Sequence, residues 1–557
     1  MKLWQELQLK VDLGETMSLF SKIKWAFFYG VGNWSFYKKE VNFIIMTLQG
    51  LYYQIKLKEL KKEKLGLEKK LENGLKKINS EKIQSKSLTF LREKLYLKYG
   101  MRKNRKKFAK YALWKQPNLF LEEYPIILST TFSSITSLSS EVVYDYLIID
   151  EASQVDLATG SLALACAKNV VVVGDSKQLP NVITEENKKR SEEIFNSYKI
   201  AIGYKNTKSF LQSILEVIPN IPQVLLKEHY RCHPKIINFC NQKFYGGKLV
   251  IMTEDHGEKN VLSVLKTVEG NHERNHYSQR QVDVIKKEVL PTFKEDPNNI
   301  GIIAPYNNQV LALKKAIKGV EIATVHKFQG REKDDIIIST VDDKVTDFSD
   351  DPCLLNVAIS RAKKKLCVVV SGNEIKLDTN ISDLISYIEY NNFEIKKSKI
   401  NSVFDYLYKQ YTKKRFEYLK KEKKISEFDS ENLLYSLLCE ILKKEEFMGL
   451  DIICHQPLNM LISDYSLLDS VEKDYAMNLR THLDFLLYKK IDKKPLLAIE
   501  VDGVKYHQMS VVQKERDMLK NAILEKYKIP FLRLSTNESC EKEKIIKKLE
   551  KVLSITK

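Results

Sequence analysis

Apolar and polar positions change their spacing three times along the chain. Over residues 1 to about 50, in stretches such as "KIKWAFFYGVGNWSFY", aromatic and aliphatic side chains mix with polar ones at a loose helical period. From 51 to 112 the period is helical throughout. Leu57, Leu60, Leu67, Leu71, Leu75, Ile78, Ile83, Leu88 and Leu91 recur among lysines, and "INSEK" reads as a turn between two arms. This spacing predicts an antiparallel helical hairpin, which serves equally as a binding arm or as a solvated coiled coil. From "PIILSTTFSS" (125–134) onward, short β-branched runs alternate with helical stretches: "YLIIDEA", "NVVVVGD", "QVLLKEH", "NIGIIAPY", "DDIIISTV" and "KLCVVVSG". Nearly continuous apolar strands separated by helices predict parallel sheets covered on both faces, with chemistry gathered at the carboxyl ends of the strands.

After residue 395 the pattern shifts again. "NFEIKKSKINSVFDYLYKQYTKKRF" reads as a basic helical connector. "FDSENLLYSLLCEIL", "RTHLDFLLYKK", "KKPLLAIEVDGVKYHQ" and "QKERDMLKNAILEKYKIPFLRL" then supply a helix, two strands, a helix and a strand. The expected divisions are a helical stalk region (1–124), the remainder of a first α/β domain (125–218), a second α/β domain (219–395), the basic linker (396–424) and a terminal α/β domain (425–557).

Charge narrows the partners. The 557 residues carry a net +19, which suits an acidic polymer. Residues 51–110 hold 20 Lys or Arg and 6 Asp or Glu, so +14 of that charge falls in this stretch and +5 elsewhere. Concentration of this kind favours a nucleic-acid surface over a merely lysine-rich composition. The eight cysteines form no CxxC pair, and several sit in apolar runs. They read as reduced thiols of a cytoplasmic protein. No apolar run reaches the ~18 residues of a membrane span.

The candidate chemistry lies in "YDYLIIDEASQ" (144–154) and "VVVVGDSKQLP" (170–180). A strand ending in Asp-Glu is how phosphate-transferring ATPases hold Mg²⁺ and aim a water. The ordered series "IIDEASQ", "VGDSKQLP", "LKEHYRCHP", "IGIIAPYNNQ", "ATVHKFQGREKD" and "LNVAISRAKKKL" is similar to motifs II through VI of superfamily 1 helicases. It most resembles group 1B, the branch of the nonsense-mediated-decay helicase. That resemblance implies RecA-like P-loop NTPase domains, ATP and Mg²⁺ as cofactors, and nucleic acid as track. It implies that Asp150 holds Mg²⁺ and Glu151 activates the attacking water. Gln178 would sense the γ-phosphate, and Arg231 and Arg361 would act as arginine fingers. Gln329, Gly330 and Glu332 would contact nucleotide and track.

One element is missing. None of the 20 glycines begins the phosphate-cradling pattern GxxxxGK[ST]; "GETMSLFSK" and "GLEKKLENGLKK" both fail. The first RecA-like domain is therefore expected to be incomplete, with exposed apolar strand edges that a separate chain carrying the loop could cover.

Residues 425–550 resemble the PD-(D/E)xK nuclease fold of the mismatch-endonuclease-like branch. Asp484 and Glu500 would be its metal-binding carboxylates, with Asp502 beside them and Glu431 as the acidic residue of the first helix. Where that family carries a lysine two residues after the glutamate, this chain has Asp502; Lys505, His507 and Lys514 are candidate substitutes. The nuclease-like tail makes DNA the expected track over RNA. The alternatives to a motor are a nucleic-acid-binding or Mg²⁺-dependent nuclease protein and an inactive fragment of a split gene.

Overall fold

A computed structural model describes residues 2–555 apart from 13–16, 78–79, 101–105, 110, 138, 140–141, 199, 294–295, 463 and 504–510. The chain forms two compact units, Met1–Lys110 and Tyr111–Lys557.

In the first unit the aromatic-rich start folds onto itself. Leu3, Leu7, Trp25, Tyr37, Ile44 and Ile45 make a small core. Ser18 caps the helix Leu19–Tyr29, accepting from the Ser21 amide, and Gly30 closes it in the left-handed conformation at φ 69°. Glu6 accepts from Trp25 Nε1 (2.6 Å) and the Tyr29 hydroxyl (2.5 Å), and these two bonds hold its carboxyl below the ordinary range. The lysine-rich stretch is helical over Val41–Lys77 and Ser80–Leu95. Leu57, Leu60, Leu67, Leu71, Ile83, Leu88 and Leu91 are all exposed. The expected turn at Ile78 and Asn79 lies outside the described residues.

The second unit opens with a parallel pair, β1 (Tyr144–Ile149) and β2 (Ala167–Val172), with Ile149 opposite Val172. Short strands β3 (Glu228–His229) and β4 (Val250–Ile251) pair in parallel. The stretch "QVLLKEH" is thus not a sheet strand beyond its last two residues. Val224, Leu225 and Leu226 lie exposed, with no sheet neighbour to bury them. Strand β5 (Leu262–Lys266) is followed by the small hairpin β6 (Glu273–Arg274) and β7 (Tyr277–Ser278). Then come β8 (Ile300–Ala304), β9 (Glu321–Thr324), β10 (Lys333–Ser339), β11 (Ala362–Val370) and β12 (Glu394–Lys397). Six of these build one all-parallel sheet in the order β12-β5-β11-β10-β8-β9. Alternate residues feed two cores: Ile336, Ile338, Val368 and Val370 on one face, Ile337, Cys367 and Val369 on the other. Burial on both faces is what the unbroken apolar runs require.

The tail has its own four-stranded sheet. Its strands are β13 (Leu450–Pro457), β14 (His482–Lys489), β15 (Pro495–Asp502) and β16 (Phe531–Ser535), in that order, antiparallel except for the last pair. Leu434, Leu437 and Leu438 of helix Asp429–Leu442 and Ile545 and Leu549 of helix Glu541–Ile555 share one core with Phe485, Leu487 and Ile499. Ile523 and Leu524 of helix Val511–Lys526 pack with Leu483, Leu486 and Ala498 in another.

The basic stretch expected as a linker is packed. Phe404 is buried in the tail core, and its neighbour Asp405 forms a fully buried ion pair with Arg280 (3.1 and 2.8 Å) from the second α/β segment. Glu541 completes the joint by accepting from the Val403 amide at 3.2 Å. All eight cysteines are free thiols. Among the described residues, no helix is long and apolar enough to cross a membrane.

Burial pushes the Glu541 carboxyl up to about 7 from 4.5. Its folded value exceeds its unfolded one, so the native state keeps the proton longer. Stability from this group is full below about pH 4.5 and is lost as pH rises through 7. Glu541→Gln keeps an acceptor for Val403 and removes the charge. Urea unfolding is expected to show the variant gaining about 2–3 kcal/mol on wild type between pH 4.5 and 8. An unchanged difference across that range would refute the assignment.

Candidate functional site

The end of β1 delivers Asp150 and Glu151 to an exposed turn. The turn is held against β2 from both sides: the Val173 amide donates to the Ile149 carbonyl (2.8 Å) and the Ala152 amide to the Val173 carbonyl (2.9 Å). Gly174 permits this approach, since a Cβ there would sit 3.1–3.2 Å from the Ser153 and Ala152 amides. Glu151 adopts φ 51°, a left-handed conformation that a glutamate holds only when its surroundings fix it. Asp150 Oδ1 accepts the Glu151 amide (2.9 Å), and Glu151 Oε2 accepts from Gln154 (3.2 Å).

The end of β2 delivers Asp175 and Gln178. Asp175 accepts from the Lys177 amide (2.8 Å), Gln178 Nε2 (3.1 Å) and the Tyr245 hydroxyl (2.6 Å). Tyr245 in turn accepts from Asn356 Nδ2 (2.8 Å), which also reaches the Lys177 carbonyl (2.8 Å). Asp175, Tyr245 and Asn356 therefore join the two α/β segments directly beside Gln178. Sequence reasoning missed all three as a joint, because none has a spacing that announces a partner.

From the second segment come the arginines. Arg361 is buried; it donates to the Val357 carbonyl (3.1 Å) and the Ser360 hydroxyl (3.2 Å). Burial, then the charge of Arg231, lowers its pKa, while Glu151 and Glu332 oppose that shift. Glu151 of the first segment thus lies within the electrostatic reach of Arg361 of the second. Arg231 pairs with Glu332 at 2.5 Å. Burial and the two arginines push His229 down to about 4, so it is neutral at pH 7, and its Nε2 accepts the Cys232 amide (2.9 Å). Among the described residues, Gln329 Nε2 is buried with no hydrogen-bond partner, and Gly330 turns the chain at φ 76°. The orphaned Gln329 donor, the two guanidinium groups and the hard oxygen of Asp150 suit an anionic nucleotide with its Mg²⁺.

The tail holds a second cluster. Antiparallel pairing sets Asp484 of β14 beside Glu500 of β15. The Asp484 amide donates to Glu500 Oε1 (3.3 Å), and the Val501 amide donates to Asp484 Oδ2 (2.8 Å). Burial raises both carboxyls, and their mutual repulsion adds to the shift of Glu500. Glu431 lies close enough to raise Asp484 further; its Oε2 is buried without a hydrogen bond and stands 3.7 Å from His455 Nε2. Glu431, Asp484 and Glu500 carry the hard oxygens that Mg²⁺ and Mn²⁺ accept, but in this structure their ligand atoms are not gathered as closely as those of His233, Asp255 and Glu258. Lys520 Nζ reaches Glu500 Oε2 (2.7 Å) and the His482 carbonyl (2.9 Å). Asp502 instead binds Arg533 at 2.8 Å. Lys505, His507 and the Lys514 side chain lie outside the described residues.

His233, Asp255 and Glu258 also converge. The His233 Nδ1 accepts the Lys235 amide, so its Nε2 carries the hydrogen and donates to Glu258 (3.2 Å), while Lys235 binds Asp255 (3.0 Å). This knot is an ion-paired helix cap.

Parts of the chain are similar to known proteins. Residues 17–186 and 206–373 each match a model described as "AAA domain", and residues 427–552 match "Protein of unknown function (DUF2726)". The chain is 28% identical over 305 residues to the "Uncharacterized ATP-dependent helicase MJ0104" of Methanocaldococcus jannaschii, covering 48% of this chain and 42% of that protein. It is 32% identical over 323 residues to the "Probable helicase MAGATAMA 3" of Arabidopsis thaliana (51% and 37%). It is 29% identical over 271 residues to the "DNA polymerase alpha-associated DNA helicase A" of Saccharomyces cerevisiae (41% and 38%). Two stretches of the chain are thus similar to AAA domains, and the relatives it matches are named as helicases. The chain matches less than half the length of each of these curated relatives.

Proposed function

We propose that the chain works as an ATP-dependent helicase or translocase on DNA, with a metal-dependent nuclease in its tail. The observation that carries the motor reading is that Glu151, at the end of β1, lies within the electrostatic reach of Arg361 of the other segment, which also feels the charge of Arg231. Two facing α/β segments that supply a carboxylate base and two guanidiniums are what in-line phosphoryl transfer asks of a protein. Bound ATP with Mg²⁺ would supply the transferable phosphoryl group, and Asp150 would hold the metal. Glu151 would orient a water and take its proton. Arg361, already held by Val357 and Ser360, would meet the developing charge. Arg231 would leave Glu332 for the phosphate, exchanging one anion for another. Gln178 would report the γ-phosphate to the second segment through Asp175 and Tyr245. Gln329, Gly330 and Glu332 would close the nucleotide's other side.

The phosphate-cradling loop would come from sequence other than these 557 residues. Tyr146 and Ile148 of β1, and Ile126 and Leu128 before it in the chain, are all exposed and would be apolar surface for it to cover. DNA is favoured as track by the Saccharomyces relative, whose name is that of a DNA helicase, and by the carboxylate cluster of the tail. Asp484, Glu500 and Glu431 would hold a divalent ion there, with Asp502 in support. A protein of this kind would act in the cytoplasm.

ATP hydrolysis is to be measured with single-stranded DNA, on the chain alone and on the chain coexpressed with the product of the reading frame upstream. The chain alone is expected to show no appreciable turnover, and the pair to turn over unless Glu151 is replaced by Gln. Turnover by the chain alone, abolished by Glu151→Gln, would refute the divided site. No turnover by the pair would refute the motor.

Residues 51–110, with their net +14, should carry salt-dependent, sequence-independent binding. Deleting them should flatten the slope of log affinity against log salt by several phosphate equivalents. An unchanged slope would leave these helices as a solvated coiled coil.

A further inference from the structure

We propose that Lys520, from the helix Val511–Lys526, is the catalytic lysine of the tail; this rests on the nuclease reading of Asp484 and Glu500. The strand position that resemblance would give to a lysine holds Asp502, which is turned to Arg533 (2.8 Å). The positive charge reaches the carboxylates by another route. Lys520 Nζ lies 2.7 Å from Glu500 Oε2, and its side chain is 12% exposed.

Its placement is fixed from both ends. Ile523 and Leu524, three and four residues on, are fully buried against Leu483, Leu486 and Ala498 of β14 and β15. The helix therefore cannot slide without opening that core. The His482 carbonyl, two residues before Asp484, accepts a second hydrogen bond from Nζ at 2.9 Å. An ammonium has three donors; Glu500 and His482 take two, and the third is left for a substrate oxygen.

Among the described residues Lys520 is the side-chain cation that hydrogen-bonds Glu500, while His455 stands 3.7 Å from Glu431 and Arg533 acts on Glu500 through its charge alone. In phosphodiester hydrolysis the water oxygen bonds to phosphorus and the bond from phosphorus to the leaving sugar oxygen breaks. The water gives a proton to solvent, and the leaving oxygen takes one from it. Negative charge gathers on the phosphoryl oxygens between these events, and Lys520 meets it with its remaining N–H.

The test uses the full chain, Mn²⁺ binding followed by electron paramagnetic resonance, and cleavage of a labelled single-stranded DNA. Lys520→Met removes the charge and keeps the stem. It is expected to lower cleavage about 100-fold or more while Mn²⁺ binds as tightly as in wild type or more so, because a competing cation has left Glu500. Lys520→Arg keeps a cation and should restore part of the lost rate. Asp484→Asn should lose both Mn²⁺ binding at this site and cleavage.

If Lys520→Met cleaves within about threefold of wild type, Lys520 is not catalytic. If it loses Mn²⁺ and cleavage together and Lys520→Arg recovers neither, the residue is structural and the proposal falls. If wild type neither cleaves nor loses Mn²⁺ on Asp484→Asn, the nuclease reading itself fails and takes Lys520 with it.

Discussion

A sheet whose strands are all parallel and buried on both faces has nowhere to place polar groups except its ends. This constraint organises the second unit. Ile336 and Ile338 enter one core and Ile337 the other, and the same alternation runs through Cys367–Val370. The interiors of β8, β10 and β11 are thereby committed to packing, whereas β1 and β2 form a separate pair with exposed apolar residues. Asp150, Glu151, Asp175 and Gln178 sit where β1 and β2 run out, and Arg231, Gln329 and Arg361 lie in loops and helix ends. The cleft chemistry is a by-product of how the sheets are covered, which is also why its residues are far apart in sequence.

The same economy ties the tail to the second α/β segment. Arg280 and Asp405 are buried together, each satisfying the other in two hydrogen bonds. Removing one partner would strand a charge in the interior, at a cost of about 3–5 kcal/mol. Phe404, the next residue back, already belongs to the tail's core. The connector is accordingly a packed joint between the second α/β segment and the tail. Tyr245 and Asn356 join the two α/β segments in the same way, with Asp175 accepting from Tyr245.

Much of this was legible in the sequence for a physical reason. Long β-branched runs that stop at acidic residues, as in "YLIIDEA" and "VVVVGD", announce both a strand and its functional end. Asp484 and Glu500 do fall on neighbouring strands as expected, although Asp484 stands near the start of β14 and not at the end of an apolar run. The short strands β5, β9 and β12 were not, since "LSVLK", "EIAT" and "EIKK" are too brief or too polar to stand out from loops. "QVLLKEH" has the right composition but no sheet neighbour, and propensity yields to that. Lys520 was hidden because a helix brings it to Glu500 from twenty residues away. Its one local signal is a lysine three and four residues before the buried pair Ile523 and Leu524. Tyr245 and Asn356 carry no charge and follow no spacing, so only the fold could bring them together.

The central claim is that Glu151, Arg231 and Arg361, drawn from two segments, act on one phosphoryl group. It is tested most directly by comparing the affinity of the coexpressed pair for ADP with and without aluminium fluoride, in the presence of Mg²⁺. The mimic of the transferring phosphoryl should tighten binding by about 100-fold or more in wild type. Glu151→Gln, Arg231→Ala and Arg361→Ala should each lose most of that gain while binding ADP as before. A gain that survives all three substitutions would contradict the account.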